Sequence, residues 1–390
     1  MALWMCTHST GWVVVLSIGI LLPSIAAEFH LSYGMQGLLA SGPLWANTIL
    51  YLPLSIWLVR YSPRLLTTIT IVLGTLFVLL QASSSLFIVL LISRFALGIT
   101  LAAREPARML LMQQWFHSRE FLWVNSITVC VLSFAFFGAT LATPYVLTFF
   151  GDDWRSTLYF FGGLTGGLAI LWVILGRERK THQYLSYIAQ SSTVNWQNVL
   201  RHKELWLAAL GLLGTNISAS TFIAFYPTFM LERYDFPLKY SAFILSANWL
   251  VCGLAGLIVA RLATNWTSRS RILYTCGLIL PSSYLLLIFT DSLPLLFVAL
   301  IANGIGWCFF PILLTITLHL PGIHVKEVPV AHAFLFASVS FGLAMGPLLA
   351  GFALDTLGNP LVVLGIMSLA SLSVIGSGIS ARILTETAIS

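Results

Sequence analysis

The chain has 390 residues, of which 58% are hydrophobic and only 8% are charged. Soluble domains carry about a quarter charged residues, and a water-soluble chain of this size could not hide so much apolar surface. The net charge of +6 does not indicate nucleic-acid binding, because the basic residues lie in short tracts between apolar runs. The composition therefore predicts a protein whose main partner is the lipid bilayer.

Apolar runs long enough to cross a bilayer, which takes about 20 residues, recur along the whole chain. All are expected to be helices, because open strands would leave backbone groups unpaired in lipid. The N-terminal run is predicted to be a retained first span, since no Lys or Arg precedes it and another span follows closely. We place twelve spans, at residues 10–28, 35–59, 65–82, 86–114, 121–149, 155–176, 204–230, 240–262, 270–289, 293–318, 328–354 and 359–381.

The longest polar stretch, residues 177–203, separates the sixth and seventh spans. It predicts an N-terminal six-helix bundle at 1–176, a cytoplasmic linker at 177–203, a C-terminal six-helix bundle at 204–381 and a cytoplasmic tail at 382–390. Two pairs of segments echo each other across it, among them LLASGPLW (38–45) and FILSANW (243–249). Their common offset of about 205 residues indicates a duplicated fold.

The Lys and Arg residues orient the spans. Thirteen of them lie in one set of loops and the C-terminal tail, whereas the opposite loops hold three, Arg155, Arg233 and Lys239. Basic loops belong on the cytoplasmic side, so both termini are predicted to be cytoplasmic in a cell (inner) membrane. The remaining three, Arg94, Arg104 and Arg108, lie inside the fourth span.

Local motifs place this pattern in a family. Two six-helix halves, Arg94-Phe-Ala-Leu-Gly98 in span 4, Asp153-Trp154-Arg155 before span 6 and Gly342-xxx-Gly346-Pro347 in span 11 resemble the major facilitator superfamily. The resemblance implies an all-α membrane protein of twelve transmembrane helices in two pseudo-symmetric bundles. The loop acids that this family uses to latch its cytoplasmic side are replaced here by Val59 and Ala260. That departure puts the latch in doubt.

The segment Gln114-Trp115-Phe116-His117-Ser118-Arg119-Glu120 resembles a stretch found in organic-anion and anion symporter branches of the superfamily. This resemblance implies a secondary transporter that moves a small anionic organic solute by alternating access, with a proton as a coupling ion to be tested. Efflux of hydrophobic or cationic compounds, and a transporter-derived solute receptor, stay open as alternatives. A monomer is expected.

Span 4 carries an unusual set of charges: Arg94, Arg104, Glu105 and Arg108. At about 100° per residue, Arg94, Glu105 and Arg108 share one helical face, and that face should not contact lipid. Arginine can bind a carboxylate or phosphate through two parallel hydrogen bonds. We therefore expect the three arginines to bind substrate and Glu105 to carry a proton. A charge network that closes the gate, and simple snorkelling of the side chains, are the alternatives.

Other polar groups in the spans stand singly. The family resemblance implies that spans 7 and 10 line the central cavity, so Asn216, Tyr226, Asn303 and Trp307 are substrate-binding candidates. His332 could titrate near neutral pH and is a second proton-coupling candidate. No catalytic motif, nucleotide-binding loop or metal-ligand spacing occurs, so we expect neither an enzyme nor a cofactor. The five cysteines are expected to be small buried hydrophobes.

Overall fold

The computed structural model describes residues 2–58, 61–115, 121–177, 196–262, 266–317, 320–321 and 327–389, and within these ranges the chain is almost entirely helical. The first half forms long helices, namely α1 (Ala2–Phe29), α2 (Tyr33–Leu58), α3 (Pro63–Ala82), α4 (Phe87–Trp115), α5 (Phe121–Phe149) and α6 (Trp154–Leu175). The second half comprises α7 (Trp196–Leu200), α8 (Lys203–Tyr234), α9 (Leu238–Leu262), α10 (Trp266–Phe289), α11 (Leu293–Gly306), α12 (Phe310–Ile316), α13 (Val328–Leu357), α14 (Pro360–Leu369) and α15 (Ser373–Ile389).

Among the described residues, eleven helical segments are long and apolar enough to cross a membrane. The second predicted span corresponds to α2, a helix of 26 residues that lies outside this set. The chain is therefore an all-α, multi-pass membrane protein, as predicted, and the twelve-helix count agrees with the structure to within one span.

The tenth and twelfth predicted spans are not continuous α-helices. A 3₁₀ turn, Trp307–Phe309, separates α11 from α12, and another, Ala370–Leu372, separates α14 from α15. Pro311 follows the first turn and has no N–H for an α-helical hydrogen bond. At the second turn the hydroxyl of Ser371 donates to the carbonyl of Ser368 at 2.6 Å, a local bond that bends helices. Each of these two spans is therefore helical, with a short 3₁₀ turn between its two α-helical parts.

The helices group into two compact units, which are described separately. Unit 1 comprises Met1–Leu31 and Gly42–Thr193, and unit 2 comprises Ser32–Ser41 and Val194–Ser390. The start of α2 thus groups with unit 2, although its sequence position lies in the predicted bundle 1–176. Most of the predicted linker falls on residues 178–195, outside the described ranges, and α15 runs through the predicted tail as far as Ile389.

Unit 1 is held together by close packing of α1 with α5 and α6, and of α3 with α4 and α6. A buried apolar cluster joins four of these helices and contains Trp4, Met5, Ile71, Leu111, Ala169 and Trp172. Ser62 begins α3 by accepting a hydrogen bond from the Leu65 N–H, and Pro63 occupies the first helical position. In lipid such helices associate through packing and hydrogen bonds rather than through the hydrophobic effect.

Unit 2 is organised around α8, which packs along α13 and α15. Small residues let these backbones approach: a Cβ atom added at Gly342 or Gly346 of α13 would overlap carbonyls of α8. Hydroxyls then cross between helices, as Ser377 Oγ donates to the Leu207 carbonyl at 3.0 Å and Ser380 Oγ to the Glu204 carbonyl at 2.9 Å. The Gly342-xxx-Gly346 motif therefore marks a helix–helix contact.

Candidate functional site

Arg104 lies buried in unit 1, where it joins three helices. Its Nη1 donates to the carbonyl of Thr7 on α1 at 2.7 Å, and its Nη2 donates to the carbonyl of Thr70 on α3 at 3.1 Å. Its Nε also reaches the Thr70 hydroxyl at 3.4 Å. Gly11 and Gly74 flank the guanidinium and leave room for it. The donors of Arg104 are thus directed to acceptors of α1 and α3 within the protein.

Arg94 is the largest fully buried side chain of the described residues, with no exposed surface. It lies on α4 one turn before Gly98, where α2 approaches closely, since a Cβ atom added at Gly98 would overlap the carbonyl of Pro43. A solute cannot reach a guanidinium at this depth unless the surrounding helices move. The arginine and glycine of the RxxxG motif thus mark the crossing of these two helices.

Arg108 lies on α4 one turn beyond Arg104, and its side chain is only partly buried. It is the most accessible of the three arginines that the sequence singled out in this helix. The side chain of Glu105 lies outside the described residues, so the predicted pairing of Glu105 with Arg108 stays a prediction. The structure brings the three arginines onto one helix of one unit at different depths.

A charged cluster connects α1 to α6, and none of its residues was predicted as a site residue. Arg155 Nη1 donates to both carboxylate oxygens of Glu28, and Arg155 Nη2 donates to the Ser84 carbonyl at 2.7 Å. The indole of Trp154 donates to Glu28 at 2.7 Å, and the Arg155 guanidinium stacks 4.3 Å from the Trp154 ring centroid. The Asp153-Trp154-Arg155 motif therefore fastens the start of α6 to the end of α1.

Asp153 caps α6 in that same motif. Its carboxylate accepts hydrogen bonds from the backbone N–H of Arg155 at 2.9 Å and of Ser156 at 3.1 Å, and from the Ser156 hydroxyl at 2.6 Å. Burial by itself would raise the pKa of Asp153, but these hydrogen bonds and the positive charge of Arg155 outweigh it. The pKa of Asp153 consequently lies below its ordinary value.

Unit 2 contains a buried network of side-chain amides. Asn303 on α11 donates to the Ser283 hydroxyl on α10 at 2.9 Å and accepts from Asn248 Nδ2 on α9 at 3.0 Å. Trp307 donates its indole N–H to the Tyr284 hydroxyl at 3.4 Å. Asn248, Ser283 and Tyr284 were not predicted as site residues. Asn248 lies in the repeated FILSANW segment, and that signal could have identified it.

A cavity of about 30 Å³ adjoins this network. Its walls are mostly aromatic and apolar, but Asn248 Oδ1 is buried and has no hydrogen-bond donor among the described residues. A buried hydrogen-bond acceptor without a donor lowers the stability of the fold unless water or a bound molecule supplies the donor. The lining residues are Ala219, Phe222, Ile223, Leu245, Asn248, Trp249, Cys252, Tyr284 and Trp307.

The remaining predicted site residues are dispersed in unit 2. Asn216 is buried and donates to the Leu212 carbonyl of its own helix at 2.7 Å. Tyr226 is buried and stacks on Phe222, and its hydroxyl has no hydrogen-bond partner among the described residues. His332 lies against Phe336, with ring centroids 5.0 Å apart. Tyr226 is thus linked to the aromatic cavity through Phe222, whereas His332 has no direct place in it.

Asp355, at the end of α13, caps the beginning of α2 within unit 2. Its carboxylate accepts from the backbone N–H of Tyr33 at 2.9 Å and of Gly34 at 2.8 Å, and from the Ser32 hydroxyl at 3.0 Å. These groups are the unpaired donors of a helix N-terminus, where negative charge is favourable. Tyr33 also donates to Glu232 at 3.2 Å, and burial followed by the charge of Glu232 raises the pKa of Tyr33.

Comparison with known protein families gives one extended match. The model of a family described as Major Facilitator Superfamily matches residues 3–323. The match covers unit 1 and the part of unit 2 that contains the amide network of α9 to α11, and it ends before α13.

Two curated relatives are informative. A probable L-galactonate transporter of Escherichia coli (strain K12) is 26% identical over 264 residues, which is 62% of this chain and 56% of that protein. A galacturonate transporter of Dickeya chrysanthemi is 29% identical over 168 residues, which is 38% of this chain and 47% of that protein. The chain therefore spans about half the length of these relatives.

The fold matches solved structures over nearly the whole chain. A bacterial homolog of the human lysosomal transporter Spinster superposes with a TM-score of 0.73, covering 99% of this chain and 94% of that chain. The sequence identity is 14%, so this likeness shows the fold alone.

Proposed function

Because the chain belongs to the Major Facilitator Superfamily, whose model matches residues 3–323, we propose that it moves a sugar acid across the membrane by alternating access. A transporter, and not an enzyme, is what the family and its members support. The observation that carries the finer proposal is the arginine cluster of α4, in a chain whose relatives are described as transporters of L-galactonate and galacturonate.

Sugar acids combine one carboxylate with several hydroxyl groups, and each unit offers groups of matching chemistry. In unit 1, Arg108 is cationic and partly exposed. In unit 2, the buried Asn248 Oδ1 can accept a hydrogen bond from a hydroxyl, and aromatic rings line the small cavity beside it. These properties favour an anionic sugar over the hydrophobic or cationic compounds of the efflux alternative.

The three arginines of α4 take different parts in this proposal. Arg108 binds the carboxylate directly. Arg104 holds α1, α3 and α4 in the arrangement that presents Arg108, because its donors already reach carbonyls of α1 and α3. Arg94 is fully buried and joins the site only if the surrounding helices move. Within unit 2, Asn303, Trp307, Tyr226 and Asn216 are the candidate substrate ligands.

Coupling and placement complete the proposal. Glu105 carries the coupled proton, since it is the acid nearest to Arg108 in the sequence of α4. His332 is the second titratable candidate. The protein works as a monomer in the inner membrane with both termini in the cytoplasm, as the distribution of basic residues indicates.

The test is uptake of radiolabelled galacturonate and L-galactonate into proteoliposomes under an imposed pH gradient. Arg108→Ala is expected to lower uptake at least about tenfold, because loss of a charged hydrogen-bond donor to a carboxylate costs about 1.5–3 kcal/mol. Arg201→Ala is the matched control, since Arg201 is an exposed arginine beyond α7. The control is expected to transport at the wild-type rate.

Normal uptake by Arg108→Ala would remove Arg108 as the carboxylate ligand. Uptake that is saturable but unaffected by the pH gradient would leave the substrate class standing and contradict proton coupling. Absence of uptake of either sugar acid by the folded wild-type protein, together with altered susceptibility to a panel of hydrophobic cations, would favour efflux instead.

A further inference from the structure

Two buried cysteines of unit 2 lie against each other. Cys276 belongs to α10, and Cys308 lies in the 3₁₀ turn between α11 and α12. Their Sγ atoms are 3.6 Å apart, within S–H···S contact, and the residues are only 2% and 4% exposed. The transport site proposed above makes no use of either thiol. By contrast, Cys6 is exposed, which corrects the expectation that all five cysteines are buried.

The helices that carry the two thiols are held together by further contacts on one side of the pair. A Cβ atom added at Gly306 would come within 2.8 Å of Leu280, so the end of α11 approaches α10 closely one turn from Cys276. Beyond this contact, Asn303 bonds to Ser283 at 2.9 Å and Trp307 bonds to Tyr284 at 3.4 Å. The short distance between the sulfurs is therefore part of a continuous interface.

We propose that Cys276 and Cys308 form an oxidisable dithiol that hydrogen peroxide converts into a disulfide. The sulfur of one cysteine attacks the peroxide, whose O–O bond breaks to give a sulfenic acid and one water molecule. The second thiol then attacks the sulfenic sulfur, the S–S bond forms, and the hydroxyl leaves as a second water molecule. The two thiols together lose two electrons and two protons, and the peroxide is reduced to water.

The geometry permits this step with a small movement. A disulfide bond is about 2.05 Å long, so the sulfurs must approach by about 1.5 Å, which side-chain rotation can supply. The aromatic cavity is lined by Trp307, the residue that precedes Cys308, and by neither of the two thiols. Its volume of about 30 Å³ suits a molecule the size of water or hydrogen peroxide.

The disulfide would join α10 to the place where the tenth span changes from α-helix to 3₁₀ turn. A 3₁₀ stretch inside a long helix often marks a hinge. Asn303 and Trp307, two residues of the proposed transport site, precede Cys308 by five residues and by one residue. Oxidation is therefore expected to fix the bend between α11 and α12 and to slow transport, a consequence that rests on the proposed function.

The pairing itself is tested without any substrate. The purified full-length protein is treated with hydrogen peroxide, denatured and alkylated with N-ethylmaleimide. Its intact mass is then measured by mass spectrometry, which counts the alkylated thiols. Of the five cysteines, only three should accept the alkylating reagent after oxidation, and dithiothreitol should restore all five. Peptide mapping should place the disulfide between Cys276 and Cys308.

Variants distinguish this pair from its neighbours. In Cys276→Ser and in Cys308→Ser, the number of thiols that react with N-ethylmaleimide should be the same before and after peroxide treatment. In the matched control Cys252→Ser, which removes a cysteine of the same cavity, two thiols should still be lost. Wild-type protein that keeps five reactive thiols, or protection by Cys252→Ser, would overturn the proposal. Because a variant could misfold, phenylarsine oxide, which bridges close dithiols, is added to the wild type and should block both thiols.

Uptake in proteoliposomes separates the two proposals. If reduced protein takes up a sugar acid, peroxide should abolish uptake in the wild type, and dithiothreitol should restore it. Cys276→Ser should be insensitive to peroxide. A disulfide that forms without affecting uptake would contradict the hinge. Reduced protein that transports no sugar acid would contradict the proposed function, while the thiol count would still decide the pairing.

Discussion

At the scale of single residues, the arginines of α4 show how one residue type takes different functions at different depths. Charged groups inside a membrane protein must be paired or hydrated. Arg104 meets this requirement with carbonyls of Thr7 and Thr70, whereas Arg108 is partly exposed. The sequence placed both in the same span, but only the structure shows which neighbouring helices supply acceptors.

Arg104→Ala is expected to lower the stability of the protein by about 3 kcal/mol, because it removes several charge-assisted hydrogen bonds that join α1, α3 and α4. Arg104→Lys should recover only part of the loss, since one ammonium group cannot span the carbonyls of Thr7 and Thr70 as the guanidinium does. Thermal unfolding of the detergent-solubilised protein measures both changes. Arg201→Ala serves as the exposed control, and equal melting temperatures for all three variants would contradict the structural function of Arg104.

Asp153 gives a pH-dependent prediction at the same scale. Its folded-state pKa lies below the unfolded value, so its contribution to stability is present above the unfolded pKa of about 4 and is lost as pH falls through the folded pKa. At neutral pH, Asp153→Ala should cost about 1 kcal/mol, as for other helix N-caps. Asp153→Asn keeps a capping oxygen without the charge.

The stability difference between the wild type and Asp153→Asn should therefore shrink as the pH is lowered from about 7 to about 3. Thermal unfolding of both proteins across this range measures it. A difference that stays constant with pH would show that the charge of Asp153 does not contribute to stability. In that case Asp153 would stabilise the start of α6 only through its hydrogen bonds and not through its charge.

At the scale of helices, the contact between α8 and α13 depends on glycine. A Cβ atom at Gly342 would overlap the carbonyl of Leu213, so Gly342→Ala should push the two helices apart. Overpacking of this kind costs about 1–3 kcal/mol. The matched control is Gly376→Ala on α15, because a Cβ atom there would have none of the described residues within 4 Å.

The control should be neutral or stabilise the helix by up to about 1 kcal/mol, because alanine favours helix more than glycine does. The two variants thus receive the same chemical change, but only Gly342→Ala should lower the melting temperature. Equal shifts in both would show that the small residues of α13 are not needed for its approach to α8.

The same scale shows what the sequence could predict about helices. Apolar length was enough to locate the long helices, because a bilayer sets the minimum length of a span. The breaks at Trp307–Phe309 and Ala370–Leu372 could not be predicted, since Pro and Ser occur in many uninterrupted membrane helices, such as α8 with Pro227. Whether such a residue interrupts a helix depends on the helices that pack against it.

At the scale of the whole molecule, the sequence was more informative about the fold than about the site. Duplication and charge distribution are summed over many residues, so single departures such as Val59 do not obscure them. The site depends instead on single residues. Asn248 and Ser283 form hydrogen bonds with Asn303 because three helices, α9, α10 and α11, meet there. The ten residues Ser32–Ser41 group with unit 2 through another contact between distant parts of the chain, since Asp355 caps the start of α2.

Orientation in the membrane is the last whole-molecule prediction. Thirteen basic residues fall in one set of loops and the tail against three in the other, and moving any one span would disturb this division. Loops rich in Lys and Arg stay in the cytoplasm, so both termini are expected there. A fluorescent protein fused after Ser390 should therefore fluoresce, whereas alkaline phosphatase should be inactive at that position and active when fused after Gly151. Active phosphatase at the C-terminus would reverse the orientation and place the Glu28–Arg155 cluster on the cytoplasmic side.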